Sequence, residues 1–225
     1  MCLCITYFSY IKNFLLVGDI RKGLHFLRWM EERGRSITLL SRSMPNPPLT
    51  VLACNLTLIN KTVGLVALDD FGDTHLFSFT PSDEQNNLLR RGGVFPVEQS
   101  VQLLRLQIEA MTLGLIVPTL RGSIQVLVPI DDKTYRVVTS LTGMLSLQLP
   151  HPGGLNPRIF RTALMGANLN RETKKNVDDG QLLRHLVWLS RPRQEEMAAM
   201  MATGLDELLK IAHVAADPLA GLSKI

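Results

Sequence analysis

The sequence predicts a mainly β chain with a C-terminal α part: a partial β-propeller followed by a small helical domain. Three observations carry that expectation. Short apolar runs alternate with Gly- or Asp-containing turns as far as about Ile130. One strand–turn–strand cadence occurs three times at the ~40–50-residue spacing of propeller blades. From Lys133 onward the apolar residues switch to spacings of three and four, the mark of one helical face.

The chain opens on an apolar stretch, Met1 to Ile20, in which Leu3 to Tyr10 reads as a buried strand. Lys12 and Asn13 interrupt it well short of the ~20 apolar residues a spanning helix needs, so no membrane segment is expected. The first cadence is Phe14–Val17, the turn Gly18-Asp19, and Leu24–Leu27. The second is Val63–Leu68, the turn from Asp69 to Asp73, and His75–Phe79. The third is Leu113–Val117, the turn Leu120-Arg121-Gly122, and Ser123–Val128. Glycine serves these turns because it takes positive φ without steric cost. Further strands are expected at Ser36–Leu40, Thr50–Leu58 and Val101–Ile108. The spacing favours radial repetition of small antiparallel sheets, although a β-sandwich shows similar strands and turns. Three blades are too few for a ring of at least about four, so the strand region reads as a fragment of a longer polypeptide.

Helices are expected over Lys133–Leu149, through Tyr135, Val138, Leu141, Leu145 and Leu149, and over Gln181–Leu189 after the break at Pro150, Pro152, Gly153 and Gly154. Ser190-Arg191-Pro192 restarts the chain as helix, with Pro tolerated in the first turn. Met197, Met200 and Met201 give that helix an apolar face, most simply core, with a soft groove for a partner helix as the other reading. Thr203 to Asp206 resembles a capping box at the start of a final helix through Leu205, Leu208, Leu209 and Ala212. The division expected is 1–131 for the blades and 132–225 for the helical domain.

Hydrophobic residues make up 46% of the 225 and charged residues 20%, the balance of a folded domain rather than a disordered chain. The net charge of +4 is mild and scattered. Cys2, Cys4 and Cys54 lack zinc-site spacing and read as reduced thiols. Gly92-Gly93 and Gly153-Gly154 lack the context of a phosphate loop and read as turns, and His25, His75, His185 and His213 stand apart from one another. Asp69-Asp70 and Asp131-Asp132 sit in turns, where they do not share a proton. Ser190, His185 and Asp179 have no nucleophile elbow around them. No catalytic, cofactor or metal residue is assigned, no cofactor or small-molecule substrate is expected, and the chain reads as a non-enzyme. Arg90-Arg91, Lys174-Lys175 and Arg191-Pro192-Arg193 are basic clusters without interleaved aromatics, which reads as solvated surface rather than an RNA face.

Several stretches carry a family resemblance. Lys12 to Gly23 (KNFLLVGDIRKG), followed by an apolar strand, Glu31-Glu32 and Leu39-Leu40-Ser41-Arg42, resembles a signature at the C-terminal end of three large propeller scaffolds. These are the large subunits of the cleavage and polyadenylation specificity factor and of the damaged-DNA-binding complex, and a subunit of splicing factor 3b. The polyadenylation branch is picked out by Lys133–Arg136, Leu149-Pro150-His151, Gly154–Arg161 (GLNPRIFR) and Asn176–Leu183. The resemblance runs from about Leu3 to Val214. It implies the last blades of a third propeller plus a helical end, in a nuclear scaffold for pre-mRNA 3′-end processing. It also implies zinc-finger and WD-repeat partner subunits that read the pre-mRNA; residues that contact partners stay unassigned. Leu189–Arg193 is closer to the damaged-DNA-binding branch, which keeps a ubiquitin-ligase adaptor as an alternative. A direct single-stranded RNA binder, motivated by the charge, is a second; it would lose affinity steeply with salt.

Overall fold

A computed structural model describes residues 4–31, 36–43, 49–81, 87–94, 99–109, 111–149 and 176–216. The chain divides into two compact units, Met1–Pro129 with Arg171–Asn176, and Ile130–Asn170 with Val177–Ile225. The first is all strand and the second all helix among the described residues.

The strand unit is a run of antiparallel meanders. β1 (Ile5–Ile11), β2 (Phe14–Asp19), β3 (Gly23–Met30) and β4 (Ser36–Arg42) pair in chain order as one sheet. β5 (Val51–Ile59), β6 (Thr62–Asp69), β7 (Thr74–Ser78) and β8 (Leu89–Val94) repeat that order. β9 (Leu104–Glu109), β10 (Thr112–Pro118) and β11 (Ile124–Leu127) make a third meander of three strands. It joins the second through the pairs Thr112–Ile59 and Leu113–Leu58. Neither sheet closes on itself among the described residues.

Turn chemistry explains the repetition. The β1–β2 and β5–β6 hairpins are two-residue turns whose first residues, Lys12 and Asn60, sit at φ 52° and 55°, matching the twist of the strands they join. The following turns recur at fifty-residue intervals, at Asp19, Asp69 and Thr119. Asp19 Oδ1 accepts from the N–H groups of Arg21 and Lys22, both at 2.8 Å. Asp69 Oδ1 accepts from Phe71 at 3.0 Å and Asp73 at 2.8 Å. Thr119 Oγ1 accepts from Ser123 N–H at 3.1 Å. Each is a side chain standing in for a missing backbone acceptor. A glycine at positive φ follows each time: Gly23, Gly72 and Gly122, at 74°, 83° and 85°.

The middle meander is buried on both faces. One face sets Cys54, Leu56, Leu65, Ala67 and Phe77 against Leu16, Leu24 and Phe26 of the first meander. The other sets Ala53, Val66 and Leu68 against Leu103, Leu115 and Val117 of the third. Asn55 crosses both interfaces. Its Oδ1 accepts from Ser9 Oγ at 2.8 Å, and its Nδ2 donates to the Leu103 carbonyl at 3.0 Å.

In the helical unit, α1 (Asp132–Gln148) is capped by Asp131, whose Oδ1 accepts from Thr134 N–H at 2.9 Å. The Thr134 side chain, its N–H and nearby Lys133 hold the Asp131 carboxyl below the usual range. α2 (Gly180–Trp188) is capped by Asp179 through Gln181 N–H at 2.9 Å. α3 (Arg191–Met200) starts from Ser190, whose carbonyl accepts from Arg193 and Gln194 at 2.9 and 3.1 Å, with Pro192 in the first turn. α4 (Leu205–Ala216) completes the unit. Val138, Leu141, Leu145, Leu183, Leu186, Met197, Leu208 and Ala212 form the core, and buried Gln194 ties α3 to α2 by donating to the Leu186 carbonyl at 2.9 Å.

Two local expectations fail. The capping box at Thr203 does not form: the Thr203 hydroxyl donates to the Met201 carbonyl at 3.1 Å, and α4 begins from the Gly204 carbonyl, which accepts from Leu208. The reach needed for a capping box is already taken by the turn that closes α3. The second is Gly92-Gly93, which reads as a turn in the sequence and lies instead within strand β8. Its sequence, Leu-Arg-Arg-Gly-Gly-Val, has no apolar alternation, and it pairs through its backbone with β7 across a register shift between Leu76 and Phe77.

Candidate functional site

The strongest feature is a sheet face. Cross-strand pairing places Tyr10, Leu15, Leu27 and Leu39 in one row, with Phe8 beside Val17 and Trp29 opposite Ile37. These residues point away from the core that holds Leu16 and Phe26, because successive side chains alternate between faces. Phe8, Tyr10, Ile37 and Leu39 are 64, 58, 56 and 47% exposed. Leu15, Leu27 and Trp29 are half-buried among them. The runs Phe-Leu-Leu-Val and Leu-His-Phe-Leu therefore make both faces of this sheet apolar, the pattern of a sheet covered on both sides. Among the described residues the middle meander has that pattern and is covered twice, and the first meander is covered once. A continuous apolar face of this kind marks an interaction surface. At its edge Arg105 lies 5.8 Å from the Tyr10 ring centre and donates to the Tyr10 carbonyl at 2.8 Å.

The residues with chemical potential in the strand unit are engaged in structure. Asp69 Oδ2 meets His75 Nε2 at 2.8 Å, both buried, so this carboxylate holds a turn with one oxygen and a neighbouring strand with the other. Asp19 Oδ2 accepts from Cys4 N–H at 3.0 Å. Asp70 is exposed beside buried Asp69, and the two adjacent carboxylates do different things. Burial pushes the Cys54 thiol up to about 12, partly offset by the Gly18 backbone, so it is no nucleophile near neutral pH.

His25 is buried, and its Nε2 has no hydrogen-bond partner among the described residues. Burial lowers its pKa from 6.5, against the pull of Asp19 and with smaller contributions from Arg42 and Lys22. The unfolded chain therefore binds a proton at His25 more readily than the folded one. Stability attributable to this residue is complete above about pH 6.5 and declines as the pH falls below it toward the folded pKa. Urea midpoints measured from pH 7.5 to 5 will show this loss, and His25→Gln will flatten it. An equal slope in that variant assigns the acid sensitivity elsewhere.

In the helical unit the methionines divide. Met197 is core, whereas Met200 is 62% exposed and with Met144, Met201, Val137, Ser140 and Arg136 lines a shallow groove. Asp179 caps α2, His185 packs edge-on against Trp188 at 4.9 Å, and Ser190 starts α3, so each has a structural partner of its own. Arg191 pairs with Glu195 one turn on at 3.1 Å, and Arg91 donates to Ser78 Oγ at 2.8 Å on the exposed edge of β8. Gly92 and Gly93 lie within β8. Cys2, Glu32, Lys174-Lys175, Pro150-His151 and the Gly154–Arg161 string lie outside the described residues. Among the described residues there is no cluster of three His, Cys, Asp or Glu able to hold a metal, and no helix long and apolar enough to cross a membrane.

Comparison with known proteins matches residues 1–187 to a family profile described as the CPSF A subunit region. The chain is 30% identical over 220 residues to a probable cleavage and polyadenylation specificity factor subunit 1 from Oryza sativa subsp. japonica. It is 28% identical over 218 residues to the Arabidopsis thaliana protein of that name, and both alignments cover 92% of this chain. Protein cft1 of Schizosaccharomyces pombe is 26% identical over 204 residues, 84% of the chain. The chain spans about 15% of the length of these relatives.

Proposed function

From the premise that the chain belongs to the CPSF A subunit family, we propose that it is part of a non-catalytic scaffold in the nuclear pre-mRNA cleavage and polyadenylation machinery. The observation that carries this reading is the alignment of 92% of the chain to relatives named for that factor. The fold supports a scaffold: its buried carboxylates, histidine and thiol are committed to turns and core, while the β1–β4 sheet exposes a continuous apolar face. The reading includes a β-propeller. Meanders stacked face to face at fifty-residue intervals are what a sector of such a ring requires, and the open face of β1–β4 is the seat of the next blade. The partners proposed are the zinc-finger and WD-repeat subunits that the resemblance implies, with pre-mRNA reached through them.

Affinity capture of the endogenous protein from nuclear extract, with mass spectrometry of bait and partners, tests this. Co-purification of the zinc-finger and WD-repeat polyadenylation subunits is expected. A cullin in their place assigns the chain to the adaptor branch and sinks the proposal. So does RNA recovered without either subunit.

A further inference from the structure

We propose that Asp19 and His25 form a proton-driven latch on the leading end of β1: when His25 is protonated, Asp19 Oδ2 leaves the Cys4 N–H for the imidazolium and the start of the strand is released. Two turns of one molecule make the same contact differently. His25 stands opposite Val17 and His75 opposite Ala67, so each histidine faces the residue two places before the turn carboxylate, Asp19 or Asp69. Alternation puts carboxylate and ring on one face of the sheet, as diagonal cross-strand neighbours within reach of each other. In both turns Oδ1 serves two backbone N–H groups. The second oxygens differ. Asp69 Oδ2 meets His75 Nε2 at 2.8 Å, whereas Asp19 Oδ2 accepts from Cys4 N–H at 3.0 Å. His25 Nε2 is buried with no hydrogen-bond partner among the described residues. The third turn has Thr119 and Gln125 at these places, which carry no proton to exchange.

One acceptor thus has two donors within reach, and charge decides between them. A neutral imidazole and a backbone amide make hydrogen bonds of similar strength, and here the amide holds the oxygen. An imidazolium makes a charge-assisted bond about twice as strong. A buried cation without a counter-ion is costly, and Asp19 is the carboxylate whose charge favours a proton on His25. Lys22 in the turn, Arg42 opposite His25 on β4 and the amino terminus also face the ring. All three are cations that, with burial, oppose its protonation, so the exchange falls below about pH 6.5. The end under control is lightly held. β1 is irregular between Ile5 and Tyr7, and Ile5 is 59% exposed. Its start is fixed by the Cys4 N–H on Asp19, by the Ile20 N–H on the Cys4 carbonyl at 3.1 Å, and by the Thr6 hydroxyl, which reaches the Gly18 and Val51 carbonyls. Losing the first of these bonds opens the end locally without unfolding the sheet.

The inference goes beyond the polyadenylation reading and stands whichever partners co-purify. Residue-resolved hydrogen exchange of the 225-residue chain at about pH 7.5 and about pH 5.5, corrected for intrinsic rates, tests it. Protection of the Cys4 and Ile20 amides is expected to fall on the order of tenfold at the lower pH. Protection of the Asp73 amide, in the turn that keeps its histidine, is expected to hold. His25→Gln removes the proton-binding group and installs the residue type that the third meander carries at this place, Gln125, so the variant is expected to fold. Its Cys4 and Ile20 amides are expected to stay protected at both pH values. In the parent, the His25 ring and the Cys4 amide are expected to titrate with one midpoint by NMR. A loss of protection that persists in His25→Gln, that reaches Asp73 equally, or that is absent from the parent overturns the proposal, as do separate midpoints for His25 and Cys4.

Discussion

Asp69→Ala is expected to destabilise the strand unit by about 3–5 kcal/mol, because several hydrogen-bonding groups lose their acceptor at once in a largely buried network. One oxygen of this carboxylate serves the Phe71 and Asp73 N–H groups, and the other meets His75 at 2.8 Å. Alanine takes the acceptor from two backbone donors, the Asp73 N–H buried and the Phe71 N–H partly so, at roughly 1–3 kcal/mol for a buried group left unmade. Asp69→Asn keeps one oxygen and is expected to lose about half as much. Asp70→Ala, at the exposed neighbour, is expected to stay within about 0.5 kcal/mol of the parent. Urea unfolding of the three variants side by side checks this. Equal losses at Asp69 and Asp70 would mean that the turn is held by its backbone alone.

The second large effect is expected at Gly72. Its φ of 83° already excludes most side chains, and an added Cβ would lie 2.6 Å from Gln99 Cγ, 2.8 Å from Gln99 Cα and 2.9 Å from Ser100 N. Two of those neighbours are backbone and have no rotamer to retreat into. Gly72→Ala therefore combines left-handed strain of about 1–2 kcal/mol with an overpacking cost of about 1–3 kcal/mol. Gly122, at φ 85° with nothing within 4 Å of its would-be Cβ, incurs only the first of these. The difference between the two alanine variants in thermal melts measures the approach of the second turn to the third meander. Equal melting temperatures would show that Gln99 and Ser100 move aside without cost.

The strand unit was readable from its turns. Asp19, Asp69 and Gly122 mark the cadence in the sequence, and each sits where the observed chain reverses. What escaped was pairing that carries no side-chain signal. β8 holds its place by backbone hydrogen bonds through Arg90, Arg91 and two glycines, and a reading built on apolar alternation has nothing there to detect. Thr203 failed for the opposite reason: the residue types fit a cap, but the hydroxyl had a nearer partner in Met201. The open face was half legible. Continuous apolar runs in β2 and β3 announce burial on two sides, but which side lacks its cover depends on how the meanders stack. Met200 illustrates the same limit, since helical periodicity groups it with Met197 while the packing of α1 and α4 leaves it outside.

Asn55 gives the stack a property its repetition would otherwise deny. Arrays whose neighbouring modules meet only through apolar contact can melt one module at a time, because each interface is a separate, nearly additive contribution. Here a single amide is shared by three meanders: Ser9 from the first donates to it, and the Leu103 carbonyl beside the third receives from it. Detaching either outer meander leaves a buried polar group of the middle one unpaired, which adds roughly 1–3 kcal/mol to the cost of opening that module alone. The three meanders are thereby tied to one another by more than apolar contact, and the shared amide biases the stack toward melting together rather than module by module.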